Sequence, residues 1–187
     1  MRYWLVHFRL VIALLGPLFL IAAIPPAAAQ TNSAALDTLF DELRSAPDPA
    51  TARAISNQIW IHWTTPADPD LAARMQQVLA LRQQADFPAI IALLDEIVAD
   101  YPTYAEGWNQ RATVYYLLRN FDRSMADIAK VLELEPRHFG ALVGRAVMYK
   151  EQGKDGLALL DIAAALAIHP FLVERALFPE LENMTTI

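Results

Sequence analysis

Apolar side chains recur along this chain at intervals of three and four, the mark of helices that bury one face. Trp108, Ala112 and Tyr115 fall at i, i+4 and i+7, which predicts a helix over about 105–118. Arg119-Asn120 reads as a turn. Ile128, Val131 and Leu132 then form a second stripe, predicting a helix over about 122–135. It must stop before Pro136, because the residue preceding a proline disfavours the α region. Upstream, Leu36, Leu39, Phe40 and Leu43 keep helical spacing, and Asp48-Pro49 reads as a cap followed by a first-turn proline.

The pattern repeats. Pro102, Pro136 and Pro170 are 34 residues apart, as are Tyr115 and Tyr149, Trp108 and Leu142, and Ala112 and Ala146. Each unit is two helices and a turn. Such a hairpin carries apolar surface on both sides and cannot bury it alone, so the units must stack.

These residues resemble the tetratricopeptide repeat. Residues 105–138 supply Trp108, Ala112, Tyr115, Ser124, Ile128, Val131 and Pro136 at the family's positions, and 139–172 supply Leu142, Ala146, Tyr149, Ala158, Ile162, Ala165 and Pro170. Residues 71–104 keep the phase through Leu81, Leu94, Ile97 and Pro102. There, Val78 and Ile90 replace the small residues that normally let two helices touch, so looser packing is expected. Residues 30–70 read as a degenerate helical pair with Ser56, Trp60 and Trp63 on helix B positions. Residues 173–187 read as a short capping helix and tail; with Leu172 just before them, Ala176 and Leu177 are expected to cover the last hairpin until Pro179 stops or kinks the helix. The resemblance implies an all-α solenoid of helix-turn-helix units, about three of them, between these two ends.

Arg111 is the seventh residue of its unit and Asp127 follows sixteen residues later; Arg145 and Asp161 repeat both positions. In 71–104 the same positions hold Gln77 and Leu93, so both members are missing together. The joint gain and loss predicts an Arg–carboxylate bridge between the two helices of a hairpin. Arg suits the role because its stem covers apolar neighbours while its fork reaches the acid.

In this family the first helix of each unit lines a concave groove. Carried over, its positions are Ala72, Met75, Leu79 and Arg82; Glu106, Asn109, Thr113 and Tyr116; and Gly140, Val143, Val147 and Lys150. That mixed surface suits an extended segment or a helix of another protein. The clamp by which chaperone-binding members hold a C-terminal carboxylate is missing: Met75, Leu79, Gln110, Gly140 and Gly144 stand at its stations.

Composition adds an address and several exclusions. Residues 1–9 are basic through Arg2 and Arg9, residues 10–24 are uncharged and apolar, and Ala27-Ala28-Ala29 gives a small-residue cleavage pattern. This order is that of a secretory signal peptide, 1–29, and implies an exported, periplasmic protein; an uncleaved membrane anchor is the alternative. Removing Arg2 and Arg9 from 15 basic residues leaves 13 against 21 acids, a net charge of −8, which would repel nucleic acid and anionic membranes. No cysteine is present, so disulfides and thiolate chemistry are excluded. His62, His138 and His169 have no metal-ligand spacing and no catalytic signature, and no phosphate-binding glycine loop exists. No cofactor is expected. The implied function is a non-enzymatic scaffold for a protein or peptide, with a self-assembling homodimer through Trp60, Trp63 and the C-terminal cap as the alternative.

Overall fold

The computed structural model describes residues 27–181, which form eight α-helices and a short 3-10 helix: α1 (Ala27–Arg44), α2 (Pro49–Thr64), α3 (Pro69–Gln84), α4 (Phe87–Asp100), α5 (Ala105–Leu117), α6 (Phe121–Leu134), α7 (Phe139–Glu151), α8 (Asp155–Ile168) and the 3-10 turn Val173–Leu177. Starts and stops are written locally. Asp48, Asp68 and Asp86 each accept from backbone N–H groups in the first turn of the helix that follows, and each of those helices has a proline in that turn. Asn120 and His138 cap α6 and α7 in the same way.

The 34-residue rhythm reaches the backbone. Ala85, Arg119 and Gly153, one per turn between paired helices, all have positive φ: 54°, 60° and 68°. Only Gly153 takes that conformation without steric cost. The pairs α3–α4, α5–α6 and α7–α8 stack in order, burying Leu71, Val78, Ile90 and Leu94 in the first layer and Ala112, Ile128 and Val131 in the second. Ala146, Ala158 and Ile162 form the third. Ser124 lets α6 approach α5 closely and donates its hydroxyl to the Ala112 carbonyl at 2.8 Å.

The Arg–Asp bridges are both present. Arg111 donates Nε and Nη2 to the two Asp127 oxygens at 2.8 Å each, and Arg145 reaches Asp161 at 2.6 and 2.8 Å. Arg111 does more: its Nη1 donates to Asp95 of the preceding unit at 2.7 Å. Arg145 has Ala129 at the corresponding place, so it ties one hairpin only.

Both ends depart from the repeat. The expected pair at 30–70 exists as α1–α2, but it folds back onto the third unit instead of adding a first layer. Leu39, Phe40, Leu43, Ile59 and Trp63 bury themselves with Phe139, alongside Ile168, Phe171 and Leu172. At the other end the expected capping helix is the short 3-10 turn, in which Ala176 and Leu177 are exposed. Phe178, just beyond it, is the buried cap, packed on Ala146, Ala158 and Ile162. The larger ring fills the last layer better than an alanine and a leucine placed by helical spacing. Residues 1–26, most of the expected signal peptide, lie outside the described residues. Among the described residues no helix is long and apolar enough to cross a membrane.

Placing Leu at Ala146, which is fully buried between α7 and α8, should overpack the hairpin and cost roughly 1–3 kcal/mol in denaturant unfolding. A double-mutant cycle on Arg111 and Asp127 should show strong coupling, because either single change strands a partner. Loss of Arg111 alone should cost ~3–5 kcal/mol if Asp127 stays buried, and more than the loss of Arg145, which has no second acid.

Candidate functional site

Helices α5 and α7 lie side by side on the inner face of the array, and α2 crosses it. Two tryptophans seat the crossing. Trp60 rests on Gly140: a Cβ there would come within 2.9 Å of the indole Cη2. Trp63 stacks on the His138 ring at 4.1 Å, nearly parallel, and its carbonyl accepts from the Tyr104 hydroxyl at 2.6 Å. Burial pushes the Tyr104 phenol well up, so the hydroxyl remains a donor. Arg137 holds α1 to the α6–α7 turn: it binds Glu135 through two atoms, reaches Asp37 at 2.6 Å, and lies 4.2 Å over the Phe40 ring.

Beneath Trp63 sits a buried acid. Glu106 is 1% exposed and His138 is wholly enclosed. One Glu106 oxygen accepts from Asn109 at 3.0 Å and lies 3.1 Å from His138 Nε2; the other accepts from Gln110, which in turn accepts from Arg82. His138 Nδ1 accepts from the Ala141 N–H at 3.1 Å, so the ring proton belongs on Nε2, where it is donated to Glu106. Glu106, Asn109, Gln110 and His138 are all buried and all partnered, and only Arg82 at the edge of the cluster reaches water. It fixes the junction of α2, α5 and α7.

Beyond α2 the groove stays open. A cavity of about 340 Å³ lies between α5 and α7, with Ala112, Ile128, Ala141, Gly144 and Met148 as its walls. It gathers Asn109, Thr113, Tyr116, Gly140 and Val147 from the sequence-derived set, and Leu177 closes one side. Tyr116 links this lining to a set of paired charges on the neighbouring surface. The Tyr116 hydroxyl donates to Glu151 at 2.7 Å, Arg119 meets the other Glu151 oxygen at 2.5 Å, and Lys150 binds Glu180 at 2.9 Å. The bond from Tyr116 and then that from Arg119 hold Glu151 below the usual carboxylate range.

Other members of that set fall elsewhere. Met75 is wholly buried in the first layer with Val78 and Ile90, so it is core and not groove surface. Leu79 is half-buried and Arg82 exposed, and neither borders the cavity. Glu106 is buried rather than exposed on the groove, and the Asn109 amide is bonded to it at 3.0 Å. Val143 lines a second cavity of about 300 Å³ on the far side of Trp60 and Gly140, with Arg53, Phe171 and His169. Sequence reasoning missed the Glu106–His138 pair, since a contact made once has no period. The signal available was the two tryptophans of α2, which a degenerate helix does not need for its own hairpin.

No family model matches the chain. It is 39% identical over 135 residues to a TPR repeat-containing protein of Rhizobium etli, a match that covers 72% of this chain and 66% of that protein. The chain belongs to the tetratricopeptide-repeat family. It thus spans just under two thirds of its Rhizobium TPR relative. A second match, 33% identical over 81 residues, is to sperm-associated antigen 1 of Homo sapiens and covers 43% of this chain and 9% of that one. Among solved structures, MamA is similar with a TM-score of 0.49 at 18% identity, covering 75% of this chain and 81% of its own, and a MamA mutant has a TM-score of 0.49 at 20% identity, covering 84% and 90%.

Within this TPR array His169 is a buried group that resists protonation. It is buried edge-on against Phe139 at 5.4 Å, and its Nδ1 has no hydrogen-bond partner among the described residues. Burial pushes its pKa down, with Glu174 opposing in part. The unfolded chain binds the proton more readily, so this contribution to stability is complete above about pH 6.5 and falls as the pH drops through the folded-state value. Denaturant unfolding of His169→Phe between about pH 7.5 and about pH 5 should therefore decline less steeply than wild type.

Proposed function

We propose that this protein is a non-catalytic scaffold of the cell envelope that holds a peptide or a helix of a partner in the open part of its concave groove. The observation that carries this reading is the cavity between α5 and α7. It is apolar in its centre, ringed by Asn109, Thr113 and Tyr116, and sits at positions where the family resemblance puts partner contacts. The protein's own α2 supplies a precedent, since it lies on the same inner face with its indoles against Gly140 and His138. The Glu106–His138 pair, the one acid–imidazole contact among the described residues, is sealed under Trp63, which favours an architectural role over a proton-transfer one. Export rests on the basic, apolar and small-residue order of residues 1–29.

Cross-linking followed by pull-down from envelope extract identifies the partner. Val147→Arg projects a long charged chain into the cavity from a half-buried position and should weaken capture at least tenfold, ~1.4 kcal/mol, with helicity unchanged. Val173→Arg, at an exposed site outside the cavity, should leave it intact. Equal retention by both variants would move the binding face away from the groove.

A further inference from the structure

The three stacked units allow each outward helix to be compared with its own equivalents. On α4 the exposed positions include Pro88, Ala92, Asp95, Glu96, Ala99 and Asp100; on α6 they include Asp122, Arg123, Ala126, Ala129 and Glu133, with Lys130 half-buried. The same positions of α8 are Gly156, Leu157, Leu160, Ala163, Ala164 and Ala167, all exposed and all uncharged. Leu160 is 66% exposed and Leu157 is 46% exposed. The last unit of a solenoid ordinarily shows a polar outer surface to water. Here the last outward helix is the least polar of the three.

We propose that the outer face of α8 pairs with the same face of a second copy, antiparallel about a two-fold axis near Ile162. Three features point to a copy rather than to a different chain. First, the stripe is self-complementary in size. Its leucines, 157 and 160, lie in the N-terminal half, and its alanines, 163, 164 and 167, in the C-terminal half. An antiparallel two-fold sets each leucine half over the partner's alanine half, large residues into small, as an isologous contact requires. Second, the charges agree. The whole chain carries a net charge of −6, so two copies approach each other only where acids are absent, and the acids that mark α4 and α6 are missing from this stripe. Antiparallel pairing also places Lys154 and Asp155, both exposed at the start of α8, near the carbonyl end of the partner's helix, where the lysine is favoured and offsets the neighbouring acid. Third, the area fits a weak dimer. A stripe ~18 Å long and one helix wide offers less than the ~800 Å² per partner of a standard interface. Interfaces at that small end of the range belong with weak, transient associations.

This surface differs from the one suggested by the sequence. Trp63 is buried and stacked on His138, and the half-buried Trp60 packs edge-on against Phe139 of α7.

The test uses the full-length protein, whose freedom from cysteine makes single-site cross-linking clean. Ala163→Cys lies beside the proposed axis, and Ala129→Cys is its exposed equivalent on α6. Mild oxidation in cells should give a covalent homodimer from the first and not from the second. Sedimentation velocity of the purified wild type should show monomer converting to dimer as concentration rises through the micromolar range. Leu160→Glu should weaken that association at least tenfold with unchanged helicity, since the side chain already lies in water in the monomer. A wild type that stays monomeric would overturn the proposal, as would equal cross-linking from both cysteines or a dimer untouched by Leu160→Glu. Cross-linking of Ala163→Cys to a different chain would overturn it too, by giving the face another occupant.

Discussion

The distance between paired helices governs this fold. Ala112 opposite Ser124, and Ala146 opposite Ala158, are wholly or almost wholly buried at the points where hairpins close. With side chains this small, two backbones approach until one hydroxyl bonds the facing carbonyl. Apolar residues on either flank then find partners in the next layer, and the array propagates by repetition. The Arg–Asp bridges align helices already held by that closeness. Their energetic role is chiefly that of a penalty for misalignment, because desolvation offsets much of the attraction.

Repetition ends where an array has no neighbour, and this chain treats its two ends differently. The C-terminal layer is closed by Phe178, a single ring on the last hairpin. The N-terminal pair leaves the stack and crosses the inner face. Gly140 makes this possible, since any Cβ there would push against Trp60. The same glycine borders both cavities, so the indole divides what would otherwise be one long trough. The part of the groove left for a partner is therefore set by the protein's own second helix.

What was legible in the sequence follows from that division. Elements that recur were readable: the helical pairs, the proline boundaries, the Arg111–Asp127 and Arg145–Asp161 bridges, and five of the residues around the cavity between α5 and α7. Contacts made once were not. Glu106 and Asn109 occupy groove positions, but whether they face water depends on where α2 goes, and α2 carries no repeat signal to fix its partner. Met75 shows a second limit. A position that lines the groove in one unit can be core in another, when its layer is built from larger residues such as Val78 and Ile90. The last cap was misplaced by one residue type: helical spacing selected Ala176 and Leu177, while the chain turned tightly and delivered Phe178.

The bond from Arg137 to Asp37 joins residues 100 positions apart. Open solenoids contact only their nearest neighbours, so they fray from the tips and lose order one layer at a time. A strap from the first helix to the third layer makes the tips depend on one another. Melting of the last hairpin then exposes Phe40, Trp63 and Phe139 together, and the array opens as one cooperative body. The cost lies in kinetics: a distant closure must form before the structure is complete, and chains with long-range contacts fold more slowly than those built from local ones.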